Sequence, residues 1–285
     1  MGATKSSTFI IYGGTMKKDV AFIYDFDGTL AYGNIQEYNF IPALDMTSSM
    51  FWEEVENLKV KNNMENVLAY MYVMLKKARE HDISVKKSAF TRYGKNVIFY
   101  PGVESFFDKI NEYGNSLGLN IHHFIISSGI KEMIEGTSIS DKFEKIYACS
   151  FLYNVDEIAV WPAVSVNYTN KTQFLYRINK GIFEVYDESI NDKMADEDKK
   201  IPFDNMIFLG DGATDVPCMK LVKENGGISF AVYDSNKGDK IANKLLKDSR
   251  VNYAVKADYT EGSTLYTNIQ KALNNIKSRN ENETK

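Results

Sequence analysis

Residues 20–33 read VAFIYDFDGTLAYG, an apolar run that ends on two aspartates, Asp25 and Asp27, with a glycine and a threonine directly behind them. Val20 to Phe26 is apolar almost throughout, the composition of a strand covered on both faces. Such a strand demands layers above and below it, and here its burial ends at a point of paired negative charge. Taken alone, "DFDGT" is equally a turn whose aspartates cap a helix.

The remainder of the chain supplies covering layers. Met50–Lys59 and Met64–Glu80 are predicted helices; in the second, Met64, Val67, Leu68, Met71, Leu75 and Ala78 recur at helical spacing, and Asn62 with Glu65 forms an N-terminal capping pattern. A third short helix, Ser84–Tyr93, stops at Gly94. From Pro101 onward the pattern alternates. A helix opened by Pro101 and closed near Gly114 precedes the strand Ile121–Ser128, a short helix "GIKEMIEG" and the strand Lys145–Tyr153. "IAVWPAVSV" pairs with that strand as a hairpin, and Pro162 confines it to an edge. A helix "KTQFLYRINKG", a charged stretch from Glu184 to Asp204, the strand "NMIFLGDG", a helix to Asn225 and the strand "ISFAVY" follow.

Strands alternating with helices specify an α/β fold, a Rossmann-like parallel sheet flanked by helices. The helices between Gly33 and Val97 interrupt the alternation once, right after the first strand. The expected organisation is therefore a discontinuous α/β core, residues 16–32 and 98–285, with a small helical cap domain inserted at 33–97 and an N-terminal extension at 1–15. Glu184–Asp204 and the tail "KSRNENETK" read as solvated surface.

Composition narrows the function classes. Lys and Arg number 34 against 38 Asp and Glu, a formal charge of −4, which gives no basic face for nucleic acid. No segment approaches the ~20 apolar residues of a membrane helix, and Phe9–Tyr12 is too short for a secretory core. Cys149 and Cys218, far apart, read as buried thiols of a reducing compartment, so a cytoplasmic protein is expected and the triplet Asn167-Tyr168-Thr169 is a chance glycosylation pattern.

Ligand sites in parallel sheets form beyond the carboxyl ends of the strands. Four groups lie there or at helix starts: Asp25 with Asp27; Ser127, Ser128 and Gly129; Lys171; and Asp211 with Asp215 in "LGDGATDVP". "DFDGTL", "ISSG", a later lysine opening a helix, and "GDGATD", in that order from Val20 to about Tyr233, resemble the haloacid dehalogenase superfamily of phosphohydrolases, and within it the phosphoserine-phosphatase-like branch. The insertion after the first motif resembles that superfamily's helical cap.

The resemblance implies a Mg2+-dependent phosphatase acting on a small phosphorylated metabolite. Asp25 would attack phosphorus and form an aspartyl-phosphate, and Asp27 would serve as general acid and then general base. The metal would be held by Asp25, the Asp27 carbonyl and Asp211, and Asp215 would bind it or hold its waters. Ser127, with the neighbouring Ser128 and Gly129, would contact the phosphoryl oxygens, Gly28 and Gly210 would admit close backbone approach, and Lys171 would neutralise charge. Lys180, at the end of the same helix, is the alternative to Lys171; beside Gly181 it also suits a helix C-terminus.

Transfer of the phosphoryl group to another hydroxyl uses the same aspartates and stays open. A phosphate-binding protein without turnover would lack one of these groups, and all are present. His122 and His123 sit on a strand, one on each side, as packing residues; His81 ends a helix. Met46, Met50, Phe51, Trp52, Met71, Tyr72 and Met74 form a small helical core, with a flexible lid surface as the lesser reading, and Arg79 and Arg92 read as surface, with a grip on a substrate carboxylate as the lesser reading. Oligomeric state is not written in this sequence.

Overall fold

The computed structural model describes residues 17–212 and 214–283, and the expected N-terminal extension at 1–15 lies outside them. Seven strands build one sheet: β1 (Lys18–Tyr24), β2 (Leu119–Ile130), β3 (Lys145–Tyr153), β4 (Ala159–Val164), β5 (Met206–Gly210), β6 (Ile228–Tyr233) and β7 (Tyr253–Lys256), in the order β4-β3-β2-β1-β5-β6-β7. All neighbours are parallel except β3 and β4, which form the antiparallel edge hairpin carrying Pro162. The Rossmann-like α/β reading stands. Val20 to Tyr24 have no exposed surface, so side chains pointing to both faces of β1 are covered, as an unbroken apolar run requires.

Ten helices accompany the sheet among the described residues: α1 (Phe40–Ala43), α2 (Ser48–Asn62), α3 (Asn66–Glu80), α4 (Lys87–Tyr93), α5 (Val103–Ser116), α6 (Lys131–Glu135), α7 (Lys171–Lys180), α8 (Val216–Glu224), α9 (Lys240–Lys247) and α10 (Thr264–Glu283). None is long and apolar enough to cross a membrane. Helix α5 packs on β2, α8 on β5 and β6, and α9 on β6 and β7.

Helices α1 to α4 form the insertion between β1 and α5. The chain leaves and returns side by side: the Tyr32 amide donates to the Ile98 carbonyl at 3.0 Å and the Tyr100 amide to Leu30 at 3.0 Å. Helices α2 and α3 pack on each other, and α4 rests on α6. Phe90 of α4 stacks on Phe151 of β3 with centroids 5.3 Å apart, tying the insertion to the edge hairpin.

Three local expectations need correction. Glu65 is itself the N-cap of α3, accepting from the amides of Val67 and Leu68, whereas Asn62 belongs to the last turn of α2 and donates to the Leu58 carbonyl. The left-handed Asn63 (φ 49°) ends α2 and separates the two helices. Strand β2 runs on through Ile130, so Ser127, Ser128 and Gly129 lie within the strand, where its pairing to β3 shifts register, and not beyond its end. The 184–204 stretch is more than solvated surface: Arg177 donates to the carbonyls of Glu184, Val185 and Asp187, Lys180 to those of Ile190 and Asp192, and Ile201 is fully buried.

Packing beneath β1 makes one strong pH prediction. His123 is buried among Phe22, Tyr24 and Phe107, with Tyr24 Oη 3.0 Å from Nδ1 and Asn111 Oδ1 3.0 Å from Nε2. Burial, aided by the nearby His122 charge, pushes its pKa from 6.5 down to about 3. Because the folded value is depressed, the stability His123 contributes is complete above pH ~6.5 and is lost as pH falls toward ~3, at up to about 1.4 kcal/mol per pH unit. Denaturant melts of wild type and His123→Gln between pH 7 and 4 check this: the variant's unfolding free energy is expected to fall less steeply with acid.

Candidate active site

The strand order reverses at β1: β2 and β3 extend to one side, β5 to β7 to the other. The crevice beyond the carboxyl ends of β1, β2 and β5 is the switch point at which such sheets bind ligands. The Asp25 amide donates to the Leu209 carbonyl of β5 at 2.9 Å, which fixes the first turn beyond β1 over that crevice.

Four of the expected groups meet here. Asp25, Asp211 and Asp215 each bring a carboxylate oxygen within 4.8 Å of the others. Lys171, fully buried, places Nζ 2.8 Å from Asp25 Oδ1 and 2.6 Å from Asp215 Oδ1. Lys180 is elsewhere, on the 184–204 stretch. Lys171 owes its position to a polar turn: Asn167 and Asn170 bond each other and the backbone around them, and the Lys171 amide donates to the Asn167 carbonyl, so the lysine opens α7 facing inward. Asp215 stands at the N-cap position of α8 but makes no capping bond with its side chain, which is spent on Lys171.

The glycines next to these aspartates are needed for close approach. Gly28, at φ +76°, would place a Cβ 2.2 Å from Asp211 Oδ2, and a Cβ on Gly210 would lie 2.6 Å from Asp215 Oδ2. Any other residue would push the carboxylates apart.

The electrostatics show a site short of positive charge. Burial first, then the charge of Asp215, holds Asp25 well above the ordinary carboxylate range despite Lys171. Asp211 is raised by burial and by Asp25 and Asp215. Asp215 Oδ2 is buried with no hydrogen-bond partner. Three hard oxygen donors, one of them orphaned, with a single shared ammonium, fit a divalent cation. Asp27 stands apart from this cluster: its Oδ1 accepts the Ile35 amide at 2.8 Å, and burial together with Asp25 raises its pKa strongly.

Ser127 is buried and its Oγ accepts the Gly129 amide at 3.0 Å, leaving its proton free to donate. Ser128 lines the cleft, and its carbonyl accepts from Tyr70 Oη. Gly129 and Gly28 do not line it; Gly28 borders a neighbouring cleft that shares Asp211. The cavity measures about 230 Å³. Its floor is Asp25, Asp27, Ser127, Lys171 and Asp211, and its opposite wall comes from the insertion, with Gln36, Trp52, Glu65 and Tyr70, and from the loop before α7, with Asn167 and Tyr168. Among these wall residues, Gln36, Glu65 and Tyr70 carry no site signal in the sequence; Trp52 belongs to the aromatic cluster whose lesser reading is a lid surface, and Asn167 and Tyr168 to the triplet set aside as chance.

No protein-family model matches the chain. An uncharacterized protein of Borreliella burgdorferi is 31% identical over 281 residues, covering 89% of this chain and 96% of its own. An HAD-family hydrolase of Salmonella enterica serovar Typhi superposes with a TM-score of 0.53 at 14% identity, over 84% of this chain and 67% of that one. A substrate-bound phosphoserine phosphatase gives 0.52 at 14% identity, over 85% and 95%. This chain belongs to one family with the Borreliella protein, and its fold is that of the haloacid dehalogenase superfamily. Within that fold, the insertion after the first strand lies over the crevice that holds Asp25, Lys171 and Asp211.

Proposed function

We propose that this haloacid dehalogenase-fold protein is a Mg2+-dependent phosphatase that hydrolyses a small phosphomonoester through an aspartyl-phosphate on Asp25. The observation that carries the reading is the buried Lys171 ammonium shared between Asp25 and Asp215 beside the Asp211 carboxylate.

Asp25, Asp211 and Asp215, with the Asp27 carbonyl, would hold the metal, which when bound supplies charge neutralisation for the carboxylates and the phosphoryl group. Asp25 Oδ2, the oxygen not engaged by Lys171, is the attacking atom. Lys171 holds the other oxygen and fixes the carboxylate's orientation. Ser127 Oγ donates its free proton to a phosphoryl oxygen. Asp27, whose pKa burial and the neighbouring Asp25 raise well above the ordinary carboxylate range, carries its proton on Oδ2, because Oδ1 is taken by the Ile35 amide. It delivers that proton to the leaving oxygen and then takes one from the water that attacks phosphorus, releasing phosphate and restoring Asp25.

The insertion serves in this reading as the cap that excludes water and contacts the rest of the substrate. A volume of about 230 Å³ restricts that substrate to a small metabolite, since pockets for drug-sized ligands span ~300–1,000 Å³. Phosphate release from a panel of phosphomonoesters is the test. With Mg2+ the account expects turnover on at least one small ester, lost with chelator and restored by the ion; turnover unaffected by chelator, or none on any ester, contradicts it. The ion is also expected to raise the unfolding free energy, by about 2.7 kcal/mol at a hundredfold excess over its dissociation constant.

A further inference from the structure

The wall facing the carboxylates has a one-sided character. Lys171 is the sole cation lining the cleft among the described residues, and it is held between two aspartates. A substrate with a second anion beside its phosphate would need another cation or free backbone donors. The obvious donors are the first amides of α3, which open onto the cleft. Two of them are occupied: Glu65 Oε1 accepts the Val67 amide at 2.8 Å and Oε2 the Leu68 amide at 2.9 Å. The protein's own carboxylate fills the place where a substrate carboxylate would dock, and it adds negative charge to that wall.

Two further observations point the same way. Gln36, 2% exposed and lining the cleft, has a carboxamide oxygen with no hydrogen-bond partner, an acceptor waiting for an N–H donor. Trp52 and Tyr70 meet edge to face at 6.0 Å, and Tyr168 stands at the rim with 58% of its surface exposed. Aromatic faces and an acidic group together attract a cation.

We infer that the substrate's non-phosphate end is an ammonium group with no accompanying carboxylate, so that the substrate class is a small aminoalkyl phosphate held by Glu65, Gln36 and the aromatic wall. This rests on the phosphatase reading above. It also separates this cleft from one built for phosphoserine, whose carboxylate would meet Glu65 without an offsetting charge.

The experiment compares kcat/KM for phosphoethanolamine, O-phosphoserine and phosphoglycolate with Mg2+, with phosphocholine to separate charge from N–H donation. Phosphoethanolamine is expected to exceed phosphoserine and phosphoglycolate by about tenfold or more. Phosphocholine should fall between them, since it offers charge without a donor for Gln36. In Glu65→Gln, which keeps a capping oxygen but not the charge, that preference is expected to shrink by about tenfold, chiefly through KM. If Glu65→Gln does not fold, Tyr168→Ala, an exposed loop position, reads the same preference and should reduce it. A preference for phosphoserine or phosphoglycolate, or a preference unmoved in the folded variants, overturns the inference while leaving the phosphatase reading intact. No phosphate release from any ester with any divalent cation overturns both.

Discussion

Replacing Asp25 with asparagine is expected to abolish phosphate release, lowering kcat by about 10⁴-fold or more, as loss of a covalent nucleophile does. The residue is buried, and Lys171 fixes one oxygen while leaving the other free, so water has no equivalent route to that position. The same substitution should not destabilise the metal-free protein at pH 8. Burial and Asp215 lift Asp25 to about 7 in the folded chain. Its folded value lies above its unfolded one, so the stability it contributes is complete below the ordinary carboxylate pKa of ~3.9 and is lost as pH rises through ~7. Asparagine carries no such pH dependence. Thermal melts in chelator from pH 5 to 8 are expected to show the wild type losing stability with rising pH and Asp25→Asn losing less.

Lys171→Met has the opposite profile, since it removes stability and activity together. Burial disfavours the ammonium, but Asp215 and Asp25 outweigh it and hold the group charged well above the ordinary lysine range. Without it, two buried carboxylates face each other and Asp211 with no counter-charge. Breaking a buried ion pair from one side costs about 3–5 kcal/mol, and a divalent cation should restore part of this. The kcat is expected to fall by about 10²–10³-fold even at saturating metal, because a positioned charge at the phosphoryl group is lost. Denaturant melts with and without Mg2+, read beside steady-state rates, separate the two losses. An unchanged rate at full metal occupancy would remove Lys171 from the chemistry.

Much of this arrangement was legible because it is written in local sequence. β1 announces itself by apolar residues on both faces, and its aspartates follow from where a buried strand must end. β3 matches its expected bounds because its apolar residues, Ile146–Cys149 and Phe151–Tyr153, are interrupted only by Ser150 between turns. Its place at the start of a helix distinguishes Lys171 from Lys180 in the sequence, and the Asn167–Asn170 turn is the physical reason that place faces inward. The cap of α3 was misread because Asn62 and Glu65 fit a capping pattern in spacing, whereas the left-handed Asn63 ends one helix before Glu65 begins the next. The cleft wall was legible only at Trp52, through the lesser reading of its aromatic cluster as a lid surface. Gln36, Trp52, Glu65 and Tyr168 come from four separate segments, and only the folding of the insertion against the β3–β4 hairpin brings them over the carboxylates.

The central claim is that phosphorus becomes bonded to Asp25, and trapping that bond tests it most directly. A single turnover with labelled ester and Mg2+, quenched in acid within milliseconds, is expected to yield labelled protein, and borohydride reduction of that protein is expected to release the label as phosphate and leave homoserine at position 25. Label on another side chain, or phosphate formed in that turnover with no labelled protein at any time, would contradict it.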